Sequence, residues 1–142
     1  MNLGEECDLS GFFDEAVTAF EESIKIARAT NDIKNEVGAT AGLGNTYGNG
    51  GRIQEGIVLL QEARALLGQS PDRRKEAYVI DRLGYLYALT GRMQQGLELM
   101  VKAREIHQEL GNREGEGTVL EAIAAAYSRS GQTRLSRQYS IQ

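Results

Sequence analysis

Leu43-Gly44-Asn45-Thr46-Tyr47-Gly48-Asn49-Gly50-Gly51-Arg52-Ile53-Gln54-Glu55-Gly56, with Ala63 seven residues on, decides the fold, because it recurs. Forty residues later stand Leu83-Gly84, Tyr87, Gly91, Gly96 and Ala103. Forty residues earlier stand Leu3-Gly4, Cys7 in place of the tyrosine, Gly11, Ala16 and Ser23. Eighty residues later stand Ile123-Ala124, Tyr127, Gly131 and Ser136. Four copies share one phase with no insertion or deletion, which is the signature of a repeat architecture.

The first half of each copy reads as a helix. Its small residue (Gly4, Gly44, Gly84, Ala124) admits a neighbouring helix, and the aromatic three positions on (Tyr47, Tyr87, Tyr127) lies on the same face. A glycine then ends the helix by adopting positive φ at little cost: Gly11, Gly50-Gly51, Gly91 and Gly131. The second half resumes at once with helical apolar spacing, as in Phe13, Ala16, Val17, Phe20 and Ile24, or Met93, Leu97, Met100 and Ala103. Ser70-Pro71-Asp72 supplies a cap, a proline for the first helical position and an early acid. The reading is all-α, with eight helices near 2–10, 12–29, 33–49, 53–68, 71–90, 93–110, 113–130 and 132–142. They form one array: a partial repeat over 1–30, full repeats over 31–70 and 71–110, and a partial repeat over 111–142.

A helix–turn–helix unit with small residue, Tyr, Gly and Ala at these offsets resembles the tetratricopeptide repeat, which is usually about 34 residues long. The longer unit here is similar to the subclass in kinesin light chains and in the mitotic-spindle G-protein-modulator family. Leu43-Gly44-Asn45-Thr46-Tyr47 and Glu109-Leu110-Gly111-Asn112-Arg113-Glu114-Gly115-Glu116-Gly117 are particularly similar to the second. Gly56 and Gly96 depart from the alanine usual there. The resemblance implies a right-handed α-solenoid that binds a peptide or helix of another protein in a concave groove lined by first helices. Carried onto this sequence, the groove residues are Asn45, Asn49, Tyr78, Asp81, Arg82, Tyr85 and Arg129. Repeat 2 is then a nearly bare wall of Gly38, Ala41, Gly42 and Gly48 with two asparagines. Repeat 3 offers two tyrosines, an aspartate and an arginine, and Arg82 is the side chain suited to grip a carboxylate.

Composition narrows the alternatives. A net charge of −4 on 142 residues lacks the clustered cations that nucleic acid requires. No apolar run is long enough for a bilayer, the first residues lack a leader's pattern, and one cysteine permits no internal disulfide. A cytoplasmic scaffold without a cofactor, without nucleic acid and without a membrane is expected. His107 and Cys7 lie far apart in the array, no metal-ligand spacing occurs, and Gly42-Leu43-Gly44 sits inside a helix with its third glycine displaced. Catalysis is therefore not expected.

The ends differ in charge. Residues 1–22 carry seven acids and no Lys or Arg, whereas Arg129, Arg134 and Arg137 stand near the end without an acid. The phase also opens and closes partway through repeats, exposing Leu3, Phe12, Phe13, Ile123, Leu135 and Ile141. The alternative function is therefore self-assembly into a homo-oligomer through the chain ends.

Overall fold

The computed structural model describes residues 3–129, with side chains from residue 11 onward. Six α-helices and no strands occur among these residues: α1 (Leu3–Ala29), α2 (Ile33–Asn49), α3 (Ile53–Leu66), α4 (Arg73–Leu89), α5 (Met93–Glu109) and α6 (Arg113–Arg129). They group into two compact units, Met1–Ser70 and Pro71–Gln142, divided in the sequence between the second and third copies. The expected helix over 132–142, with Arg134, Leu135, Arg137 and Ile141, lies outside the described residues.

The expectation of separate helices over 2–10 and 12–29 is corrected: α1 runs unbroken through Gly11. Gly51 and Gly91 take φ of +90° and +88° and close their helices, whereas Gly11 does not. Glycine permits the left-handed turn without requiring it, and an uninterrupted helix tolerates glycine for about 1 kcal/mol.

The turns fall into two kinds. Within a repeat, Gly51 and Gly91 are followed by arginines whose amides reach back to the Tyr47 and Tyr87 carbonyls at 2.8 and 2.9 Å. The guanidinium groups of Arg52 and Arg92 then lie over those same rings, at 5.6 and 5.2 Å. Between repeats, Asn31 (φ 54°) and Gly111 (φ 68°) make the turn, and Asp32 and Asn112 begin the next helix. Pro71 occupies the same register position as Asn31 and Gly111. Its ring forbids positive φ. Accordingly α3 stops at Leu66, and a longer link leads to Asp72, whose carboxylate accepts from the Lys75 amide at 3.1 Å. Asp72, not Ser70, is thus the cap, and Pro71 precedes the helix.

In the first unit, Ile24, Ala39 and Leu43 form the buried centre, with Val17, Phe20, Tyr47 and Leu59 packed around it. The α1 phenylalanines fill space left by Gly42 in α2 and by Gly50 at its C-terminal cap. A β-carbon at Gly42 would fall 2.5 Å from the Phe20 ring, and one at Gly50 would fall 2.5 Å from the Phe13 ring. Phe13 also meets Tyr47 at 6.1 Å between ring centres. Part of the wall read as bare is therefore covered: Ala41 and Gly48 are buried and Phe20 lies on Gly42, whereas Gly38 is exposed.

In the second unit, Ala77, Ile80, Met100, Ala103, Ile106, Val119, Ile123 and Tyr127 build a larger core from α4, α5 and α6, so Ile123, expected to be exposed, is instead buried by α6 packing on α4 and α5. Equivalent ion pairs join a second helix to the next first helix: Arg28–Glu36 at 2.9 Å in the first unit and Arg104–Glu116 at 3.2 Å in the second. Hydrogen bonds from Gln108 and Arg104 hold the Glu116 carboxyl below its ordinary range.

Candidate protein-binding surface

Helical spacing gathers Tyr78, Asp81, Arg82 and Tyr85 on α4, in the second unit. They do not play equal parts. Tyr78 is 41% exposed, and Asp81 is only 4% exposed. Arg82 donates to Asp81 Oδ2 through both Nη2 (3.0 Å) and Nε (3.2 Å). Its guanidinium also lies 5.5 Å from the Tyr85 ring centre. Arg82 is therefore held from two sides. One edge of its fork is already occupied, so only the remaining N–H groups face outward.

The other expected residues lie elsewhere. Arg129 is exposed at the end of α6 in the same unit. Asn45 is half-buried and Asn49 exposed on α2, in the first unit.

Burial pushes the Asp81 carboxyl above its ordinary range, opposed by Arg82 and by nearby His107. Partial burial likewise raises the Tyr78 hydroxyl. Asp81 Oδ1 is buried and has no hydrogen-bond partner among the described residues.

The sequence reading missed His107, Asn112 and Gly115. With Tyr78 and Asp81, they line a cavity of about 350 Å³ between α4, α5 and α6. Asn112 Oδ1 accepts from the Gly115 amide at 3.0 Å, which turns its amide nitrogen toward His107 Nδ1 at 3.3 Å. The repeat register holds the signal for these residues. The buried positions of Ala27 and Leu67 become His107, Ala41 becomes Asp81, and Asn35 and Lys75 become Gly115. Among the described residues, no group of three or more His, Cys, Asp or Glu side chains is arranged to hold a metal ion, and no helix is long and apolar enough to cross a membrane.

Residues 74–140 match the tetratricopeptide repeat family model. Over that stretch, just under half of the chain, the sequence is similar to the tetratricopeptide repeat. No curated protein matches the sequence. Among solved structures, BtubC (BKLC) from P. vanneervenii superposes with a TM-score of 0.77 at 15% identity, over 94% of this chain and 56% of that one. A putative kinesin light chain from Podosopora anserina, with nearly identical TPR-like repeats, superposes with a TM-score of 0.62 at 20% identity, over 92% of this chain and 64% of that one. A substituted form of that same protein gives a TM-score of 0.66 at the same identity and coverage. These likenesses are of fold, and the chain spans less than two thirds of each of these structures. Tetratricopeptide repeats serve as protein-interaction scaffolds, and the all-helical repeats described above agree with that class.

Proposed function

We infer that this chain holds a segment of another protein against the faces of its first helices. In the second unit, Tyr78, Arg82 and Tyr85 of α4 make the main contacts, with Arg129 on α6. Taken by itself, the first unit offers Asn45 and Asn49 of α2 as hydrogen-bonding side chains for a peptide backbone. The observation that supports this reading is the fixing of Arg82 between Asp81 and Tyr85. A guanidinium already ordered loses little side-chain entropy on binding, and Tyr and Arg are the side chains most often dominant in interfaces.

Peptides selected by display against the parent chain test the reading. Their affinity should fall by about tenfold, or about 1.4 kcal/mol, in Tyr78→Ala and in Arg82→Lys. Arg82→Lys keeps a positive charge beside Asp81 while removing the planar fork. Val101→Ala and Lys102→Ala, at exposed positions on α5, should leave affinity unchanged. Equal binding by all four variants would move the contact surface away from α4.

A further inference from the structure

Three departures from the repeat pattern coincide at the cavity of the second unit. Position 107 is buried, as are its counterparts Ala27 and Leu67, yet it carries an imidazole. Position 81 is buried, as is Ala41, yet it carries a carboxylate, whereas the acid at the same register in the last copy, Glu121, is exposed. Position 115 is glycine, and a β-carbon there would lie 2.5 Å from both Cε1 and Nδ1 of His107 and 2.7 Å from Nδ2 of Asn112. Packing alone accepts Ala and Leu at the first two positions, as the other copies demonstrate. The polar replacements add a buried oxygen without a partner, Asp81 Oδ1, whose desolvation a fold would normally avoid.

The hydrogen bonds fix what the cavity offers. Asn112 uses its oxygen on the Gly115 amide, so its nitrogen is the donor toward His107 Nδ1. When the ring is neutral, His107 Nδ1 is then the acceptor and the proton sits on Nε2. No hydrogen bond among the described residues occupies Nε2. One acceptor, Asp81 Oδ1, and one donor, His107 Nε2–H, therefore belong to residues of the same cavity wall.

Charge selects among ligands. The Asp81 carboxylate is already neutralised by Arg82. Arg74 and Glu114, which also line the cavity, carry opposite charges, so the lining has no net excess of either sign. Net charge therefore favours neither a cation nor an anion, whereas a neutral group with adjacent N–H and C=O matches one acceptor and one donor.

We propose that this cavity is a subsite for a primary carboxamide, the side chain of an asparagine or glutamine in the bound segment, with Asp81 Oδ1 accepting from its NH2 and His107 Nε2–H donating to its oxygen. The identity of the occupant as part of a protein segment rests on the α4 contact surface proposed above, but the chemistry of the subsite can be tested without any partner. The isosteric series propionamide, propionate and propylammonium presents the same stem with a donor–acceptor pair, an acceptor alone and a donor alone.

The full chain is titrated with each probe and followed by NMR at the Gly115 amide and the His107 ring. Propionamide should give a saturable shift at both groups and bind at least about tenfold more tightly than either ion, because an analogue lacking one partner leaves a buried group unpaired. His107→Leu and Asp81→Ala install residues that other copies carry at those positions. Each should weaken propionamide at least about tenfold while leaving helicity intact. Gly115→Ala, which displaces the imidazole, should do the same. A preference for propylammonium would make this a cation site, and a preference for propionate would make it an anion site. Absence of any saturable shift would make it a structural polar cluster. Each of these results overturns the proposal. If propionamide binds as expected while display-selected peptides ignore Tyr78→Ala and Arg82→Lys, the subsite stands and the α4 contact surface fails.

Discussion

Gly84 and Gly96 bring the backbones of α4 and α5 into contact: a β-carbon on Gly84 would lie 2.6 Å from the Gly96 carbonyl oxygen. The obstruction is main chain, which cannot rotate aside, and Met100 Cγ follows at 2.9 Å. Gly84→Ala should therefore destabilise the chain by about 1–3 kcal/mol in urea unfolding, despite the better helix propensity of alanine. Gly117 lies in α6 with nothing within 4 Å of its β-carbon position. Gly117→Ala should instead stabilise by up to about 1 kcal/mol. The same chemical change with opposite signs isolates the close approach. A loss at both positions would indicate a general intolerance of the repeat to alanine.

α2 contains Gly38, Gly42, Gly44 and Gly48, whereas α4 contains Gly84 alone. Each glycine costs about 1 kcal/mol relative to alanine in a helix interior, so α2 depends more heavily on packing, including the Phe20 ring over Gly42. Amides over 38–48 should exchange with deuterium faster than those over 75–88. The reverse order would show that the α1 phenylalanines more than compensate for the glycines.

The helical architecture was legible because its determinants are local and repeated. Gly51 and Gly91 share a register position, a helix-ending role and a following arginine. Gly11 shares only the register, and a lone glycine does not distinguish a turn from a tolerated helix position. The α4 candidates were legible as one helix face, but not their unequal burial. Asp81 and Arg82 are sequence neighbours, yet only the α5 and α6 packing makes Asp81 a buried carboxylate. His107, Asn112 and Gly115 meet through a side-chain network that helical periodicity does not encode. Aligning each with its counterparts forty and eighty residues earlier does single out His107 and Gly115.

Asp32 and Asp72 begin α2 and α4 with carboxylates that accept from the Asn35 and Lys75 amides at 3.2 and 3.1 Å. Replacing either by alanine leaves a helix-terminal N–H without its partner and should cost about 1 kcal/mol in urea unfolding. Asp72→Asn should retain most of the stability, since its amide oxygen can still accept. Equal losses for Asp72→Ala and Asp72→Asn would assign the effect to charge at the helix start rather than to the capping hydrogen bond.

Arg82 contributes to the fold as well as to the proposed contact surface, and this changes what its removal should do. From sequence alone, Arg82→Ala is expected to leave unfolding nearly unchanged, as for an exposed groove residue. In the structure, Arg82 is the ion-pair partner of a carboxylate that is 4% exposed. Its removal leaves Asp81 buried and uncompensated, which should cost about 3–5 kcal/mol near neutral pH. Burial already holds the Asp81 carboxyl above its ordinary range, and Arg82 is the main opposing influence. In the variant, the folded-state value should rise further above that of the unfolded chain. A group raised in this way favours the folded state fully only below its unfolded value, and that contribution is lost as pH rises through the folded value. The gap in stability between parent and Arg82→Ala should therefore be wide at neutral pH and close as pH falls toward the ordinary aspartate range. The double variant Asp81→Ala/Arg82→Ala should be more stable than Arg82→Ala at neutral pH and should lose this part of the pH dependence. Urea unfolding of the three chains across pH measures each of these outcomes. A gap independent of pH, unchanged in the double variant, would mean that Arg82 supports the fold by its stacking on Tyr85 and not by neutralising Asp81.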